Sequence, residues 1–404
     1  MVDLNFTNMD PFFGRIHDSE WNACIGQQGQ EQNYIDGYIQ AAIELSNLII
    51  EKKMYNKRDT LILPILYNAR HSLELCLKFS TNTLSSHKLI NHDKKLNHDI
   101  EYYWKILSTQ IDFDFCLLDT IKNLEPFIHS LSRIDNDGQE LRYHKNKNDE
   151  ISLSDYSVAN LDFIRTNLKQ LESYIFILQN RSLEYISEYK IGTFTNRCSR
   201  KDLLKIAQLL PKMAKWETQE FQDEKKRICT RYNLSNRQFS SALTKIKNNR
   251  EMCAILEQET PLLHITDDEV EWLITQWQHY HSAKPIFFAR KNGTSDTSAA
   301  SDIENHQFPI GEITERIFNQ LTDEKIADAM TVYFLGRDKE WCEHYEDIFL
   351  ERLNKLKLNE NKTGEMIYYM NKTNLLQSTI QGLNQLGRLR LSRALRGMLA
   401  DETT

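Results

Sequence analysis

The chain has 404 residues, 40% of them hydrophobic and 26% charged, with a formal net charge of −7. At roughly 100–200 residues per domain, that length predicts two or three domains. Only 13 Gly and 7 Pro occur, which excludes collagen-like and Pro-rich scaffolds and disfavours a turn-dense all-β architecture.

Residues 1–29 carry no firm pattern and no basic stretch leading into an apolar core, so no secretory signal is expected. From about residue 30 the periodicity is helical. Ile35, Ile39, Ala42, Ile43, Leu48 and Ile49 recur at helical spacing and end before a polar stretch at 51–53. A second helix is predicted over 60–80, with Asp59 as N-cap and Pro64 tolerated near the first turn. Further helices are predicted over 98–107, 113–131 and 153–189, and the Asp135-Asn136-Asp137-Gly138 run reads as a turn. Amphipathic helices with short connections predict a bundle over roughly 30–189, within a first domain of 1–190. After a break at Ile191-Gly192-Thr193, a basic helical module is expected over 194–290. Residues 291–308 are small and polar, the composition of a flexible linker. A C-terminal helical region, 309–404, follows. In it Thr322 caps a helix predicted to stop at Gly336, and the end is Arg-rich. The fold class is all-α.

Two constellations carry candidate chemistry. In the helix Asn68–Ser80, His71, Glu74 and Lys78 fall within about 60° of one another at 100° per residue, while Leu66, Ala69, Leu73, Cys76 and Leu77 cover the other faces. Such a stripe reads either as intrabundle hydrogen bonds and ion pairs or as a polar pocket between helices. Beyond the Asp-Gly turn, Arg142, His144, Lys145 and Lys147 gather three cations and an imidazole within six residues. That set is either a solvated basic loop or a site for RNA. Arginine clamps a phosphate with two donors and histidine exchanges a proton near neutral pH, which suffices for metal-independent cleavage through the 2′-hydroxyl.

The helix Arg70-His-Ser-Leu-Glu-Leu-Cys-Leu-Lys78, followed by Asn97-His-Asp-Ile100 and by Leu141-Arg-Tyr143 ahead of a long closing helix, resembles the HEPN superfamily. The resemblance covers about 30–189. It implies an all-α bundle of the kind found in prokaryotic defence, toxin–antitoxin and RNA-processing proteins. Many such bundles are metal-independent endoribonucleases that pair an Arg and a His from each protomer of a dimer. In that nuclease branch four to six residues separate the Arg from the His. Here Arg142 and His144 have one residue between them and Arg70 and His71 are adjacent. Two readings therefore stand. One is an antiviral or toxin-type ribonuclease with a rearranged site, in which Arg142 holds the phosphate, His144 and His71 move the proton, and Glu74 orients one of them. The other is a catalytically silent nucleic-acid-binding or partner-docking subunit of a defence complex.

From 197 to 250 there are fourteen Lys and Arg against five Asp and Glu, a basic block in an acidic protein. Residues 224–247 read as helix, turn, helix: Asn233 closes the first helix, Ser235 caps the second, and Phe239, Leu243 and Ile246 form its buried face. Arg237, Gln238, Ser241 and Lys245 face outward, as a nucleic-acid-reading helix requires, although such pairs also serve as plain packing units. His279-Tyr-His281 and Cys342-Glu-His344 lack a second spaced pair, so no metal is expected. Gly336-Arg337-Asp338 with Glu343 and Glu346 reads as a helix end with local ion pairs. Arg388, Arg390, Arg393 and Arg396 suit RNA, an acidic partner or a neighbouring domain. The seven cysteines, odd in number and without Cys-x-x-Cys, read as reduced thiols of a cytoplasmic protein. No Gly-rich phosphate loop occurs and no cofactor is expected.

Overall fold

The structure, a computed structural model, describes residues 20–26, 29–92, 97–145, 149–282, 311–358 and 361–400. The expected linker at 291–308 lies outside them. Among the described residues the regular structure is entirely helical, apart from one isolated antiparallel bridge between Lys145 and Ile151. None of their helices is long and apolar enough to cross a membrane. The chain divides into two compact units between Ser187 and Glu188, so the basic block and the C-terminal helices belong to one unit.

The first unit holds α1 (Glu31–Glu51), α2 (Arg58–Ser86), α3 (Ile100–Gln110), α4 (Phe115–Ile134) and the start of α5 (Leu161–Ile191). The apolar stripe of α1 and the 3–4 spacing of Ile65, Ala69, Leu73, Cys76 and Leu77 on α2 enter one core with Leu117, Ile121, Leu124 and Ile128 of α4 and Leu168, Leu171 and Ile175 of α5. Local signals set most of the ends. Asp99 accepts the Tyr102 N–H and starts α3, and Asp114 accepts the Leu117 N–H and starts α4. The second oxygen of Asp114 takes two bonds from the buried guanidinium of Arg181, tying α4 to α5.

Several boundaries differ from the sequence expectation, those of α2 and α5 most. Helix α2 starts one residue before Asp59, because a 3₁₀ turn at Tyr55–Lys57 feeds directly into it, which places Pro64 in the second turn. It also runs six residues past Ser80, since Thr81 and Leu84 remain buried. Helix α5 starts at Leu161 rather than 153, where Asn160 takes the Phe163 N–H.

The second unit continues with α6 (Arg200–Leu209), α7 (Gln219–Arg231), α8 (Asn236–Asn248), α9 (Arg250–Ile255) and α10 (Asp267–Ser282). After these come α11 (311–320), α12 (Asp323–Asp338), α13 (Tyr345–Leu358), α14 (Lys362–Met370), α15 (Leu375–Gln385) and α16 (Leu389–Ala400). Helix α12 is its centre: every residue from Ile326 to Gly336 is buried, as expected for a helix enclosed on all sides. Thr322 caps it as expected, but Gly336 does not end it. The helix runs on to Asp338, and Lys339 takes the left-handed conformation that a terminal Gly would have taken. Gly336 instead lets α15 approach. A Cβ there would run into the Ser378 carbonyl, and one at Gly382 of α15 would run into the Val332 carbonyl.

The α12–α15 crossing therefore depends on two missing methyl groups. Gly336→Ala and Gly382→Ala are each expected to lower the unfolding free energy by about 1–3 kcal/mol, the usual cost of overpacking a tight core. Urea titration followed by circular dichroism measures this, and unchanged midpoints would show that the helices have room.

Candidate functional site

At 3.6 residues per turn, α2 places Tyr67, Arg70, His71, Glu74 and Lys78 on neighbouring lines of one face. Their environments separate them into a buried ion network and an exposed aromatic cluster.

Arg70 is only 1% exposed, and all three of its guanidinium nitrogens are occupied. Nε donates to the Asp135 carbonyl at 2.5 Å and Nη1 to Glu74 Oε2 at 2.8 Å. Nη2 donates to the His98 and Asn136 carbonyls at 2.6 and 2.7 Å. The other oxygen of Glu74 accepts from Lys78 Nζ at 2.6 Å and meets His98 Nδ1 at 2.8 Å. Burial pushes the Glu74 carboxyl upward, but the bonds from Lys78, Arg70 and His98 outweigh it and hold the pKa below the usual value. The stripe is thus an intrabundle ion network at Glu74 and Lys78. The side chains that Glu74 bonds are Arg70, Lys78 and His98, not Arg142, His144 or His71.

The loop that Arg70 grips is also held from within. The buried Asp135 carboxylate accepts the N–H groups of Gln139 and Leu141 at 2.8 and 3.2 Å. Gly138 adopts φ +77° and lies so close that its Cβ would sit 3.1 Å from Arg70 Nη1. Glycine is needed there on both counts. The turn buries Leu141 and turns Arg142 outward. Arg142 Nε donates to the Gly138 carbonyl, and its guanidinium lies 5.8 Å from the Tyr67 ring centroid and 5.4 Å from that of Tyr143.

His71 is half-buried on the same Tyr67. The two rings stack at 5.5 Å with 9° between their planes, and the edge of Tyr38 closes the other side at 4.5 Å. Burial lowers the His71 pKa. Arg70, Lys78 and Arg142 lower it further, while Glu74 raises it, and the net direction is down. The imidazole is therefore neutral at pH 7, with a fixed cation nearby.

The other expected site residues are placed as follows. His144 is exposed, and its carbonyl accepts the Ser152 N–H; among the described residues no side-chain bond ties its imidazole to Arg142 or His71. Lys145 pairs with Asp149 at 2.8 Å, and Lys147 lies outside the described residues. In the second unit Arg237 is exposed. Gln238 lends its side-chain oxygen to the Ser235 N–H in a capping box, and Lys245 donates to the Gly192 carbonyl at 3.1 Å. Among the described residues no three His, Cys, Asp or Glu are grouped to hold a metal. His281 bonds the Met370 carbonyl, Glu343 binds the buried Arg200, and Arg337 pairs with its neighbour Asp338. Sequence reasoning missed Tyr67 and Tyr38, whose aromatic spacing resembles ordinary core. It also missed the grip of Arg70 on the 135–136 carbonyls, for which the Asp-x-x-Gly turn and the Arg70/Glu74 i,i+4 spacing were the available signals.

A cavity of about 740 Å³ opens beside the loop, but its wall carries Asp137, Glu140, Glu150 and Asp155 against Arg133. That lining is net acidic, which disfavours an anion in the cavity. No protein-family model, no curated protein and no solved structure matches the chain.

Glu74→Ala would take from the buried Arg70 cation its hydrogen-bonded carboxylate, leaving only Asp135 Oδ2 at 3.9 Å, and a loss of about 3–5 kcal/mol is expected. Because the folded pKa of Glu74 is depressed, its contribution is present above the unfolded value of 4.5 and is lost as pH falls through the lower folded value. The stability gap between parent and variant should therefore narrow in urea melts run from neutral pH to below pH 4.5. A gap constant across that range would place the effect elsewhere.

Proposed function

We propose that the first unit cleaves single-stranded RNA without a metal ion, with Arg142 and His71 as the reacting pair. The observation that carries this reading is their convergence on Tyr67: an outward guanidinium 5.8 Å from its ring centroid and an imidazole stacked on the same ring at 5.5 Å. The exposed ring of Tyr143 offers a platform on which an unstacked base can lie.

Arg142 donates to the non-bridging oxygens of the scissile phosphate and balances the charge that grows there. Neutral His71 accepts the 2′-hydroxyl proton. The 2′-oxygen forms a bond to the adjacent phosphorus and the bond from phosphorus to the 5′-oxygen breaks. The products are a 2′,3′-cyclic phosphate and a 5′-hydroxyl, the latter protonated by solvent. Glu74 acts at one remove, by fixing Arg70 and hence the loop that carries Arg142. The resemblance of residues 30–189 to HEPN bundles extends the reading to a defence or toxin effector that pairs two copies of the bundle.

With EDTA present, the purified chain is expected to cleave tRNA or total cellular RNA, leaving cyclic-phosphate ends. Arg142→Ala and His71→Ala should each lower the rate by on the order of 10²-fold or more. Loss on His144→Ala with His71→Ala fully active would move the base to the loop. RNA bound in a salt-sensitive way but never cut would favour the silent binding subunit. A base must be neutral to act and the His71 pKa lies below 6.5, so the rate should be flat through pH 7 and fall only on acidification below that value. A pH–rate profile that instead declines above pH 6.5 would rule out His71 as the base.

A further inference from the structure

From Lys225 to Arg250 the chain holds eight Lys and Arg and not one Asp or Glu. We infer that this segment, α7 with α8, binds duplex DNA by laying α8 in the major groove.

The fold presents α8 for that task. Helix α7 ends at Arg231 with Tyr232 as its C-cap, Asn233 takes a left-handed φ of +51°, and Ser235 opens α8 with a complete capping box. Phe239, Ala242 and Ile246 of α8 are buried with Ile228 of α7 and Leu234 of the turn. This apolar anchor fixes which face of α8 points outward. Arg237, Ser241, Lys245 and Asn248 are all exposed, within about 80° of one another around the helix.

Charge and shape favour the same occupant. Lys226 and Arg237 are exposed and make no ion pair among the described residues. Lys247 lies 4.6 Å from the Trp216 ring centroid and Lys225 5.8 Å from that of Phe239, so aromatic rings steady two of the flanking ammonium groups. Between the cations the outward residues are short: Ser240, Ser241 and Thr244. A helix with short polar residues at its centre and cations at its margins can approach base edges while the cations reach phosphates. The thirteen residues of α8 span about 20 Å, and the diameter of a helix matches the wide major groove of B-form DNA. The corresponding groove of A-form RNA is too narrow for it.

Fluorescence anisotropy of the full chain, titrated in EDTA against a short mixed-sequence DNA duplex, the RNA duplex of the same sequence and one RNA strand, tests this. The DNA duplex should bind most tightly, with log Kd rising linearly with log salt. Arg237→Ala with Lys245→Ala should weaken binding by about tenfold or more and reduce the salt slope by about two. Arg237→Ala alone, which breaks no hydrogen bond or ion pair among the described residues, should give part of that loss with an unchanged melting temperature. Three results would each overturn the proposal: the RNA duplex bound as tightly as the DNA duplex, DNA affinity indifferent to both substitutions, or no DNA binding at low salt. DNA lacks the 2′-hydroxyl that the cleavage reading requires, so either reading can fail while the other stands.

Discussion

The arrangement around Tyr67 depends on a buried arginine held by a buried glutamate. Arg70 and Glu74 are both withdrawn from water, and charges in that position persist only when every donor and acceptor is matched. Here the match requires carbonyls from outside the helix. Three of the four groups that accept from Arg70 are backbone oxygens of residues 98, 135 and 136. Satisfying the cation therefore also fixes two connecting segments against α2. Arg142 follows seven residues after Asp135, and its outward direction is a consequence of that fixation.

The second unit solves a similar problem with a carboxylate. Asp328 lies on the enclosed helix α12 with no solvent exposure, and one of its oxygens accepts the N–H groups of His264 and Ile265 at 2.6 and 3.0 Å. The other accepts the Tyr345 hydroxyl, whose pKa burial then drives upward. The connection ahead of α10 and the start of α13 are thereby tied to the central helix. Arg250 donates to the carbonyls of Thr260 and Pro261 and lies over the Tyr345 ring, tying the same connection to α9. In each unit one buried ionic group, Arg70 in the first and Asp328 in the second, bonds mainly to backbone and so sets the path of the loops it holds.

Charge is distributed to match. The cavity beside the 135–142 loop is acidic, whereas the surface at Arg142 and the outward face of α8 carry the basic groups that a polyanion would meet. Burial and the neighbouring cations act in the same direction on His71 and outweigh Glu74, so its pKa falls below the usual value.

The helical class and the caps at Ser235 and Thr322 were legible in residue spacing. Apolar periodicity and N-cap chemistry are local, and Ser235, Thr322 and the Asp135–Gly138 turn act within a few residues of themselves. The outward stripe of α8 was readable for the same reason. What the sequence left open were the matters decided by contact between distant segments. It placed His71 and Glu74 on one stripe, but Glu74 entered an ion network and His71 an aromatic cluster, because Tyr38, His98 and the 135–136 carbonyls reach them from other parts of the chain. It marked Gly336 as a helix end, but the approach of α15 made it an interior crossing point. The sequence by itself determined which segments are helices and which faces are apolar, since those follow from period and composition. Only the tertiary structure decided which polar groups are spent on holding the fold and which remain exposed for chemistry, because burial and pairing are properties of the assembled chain.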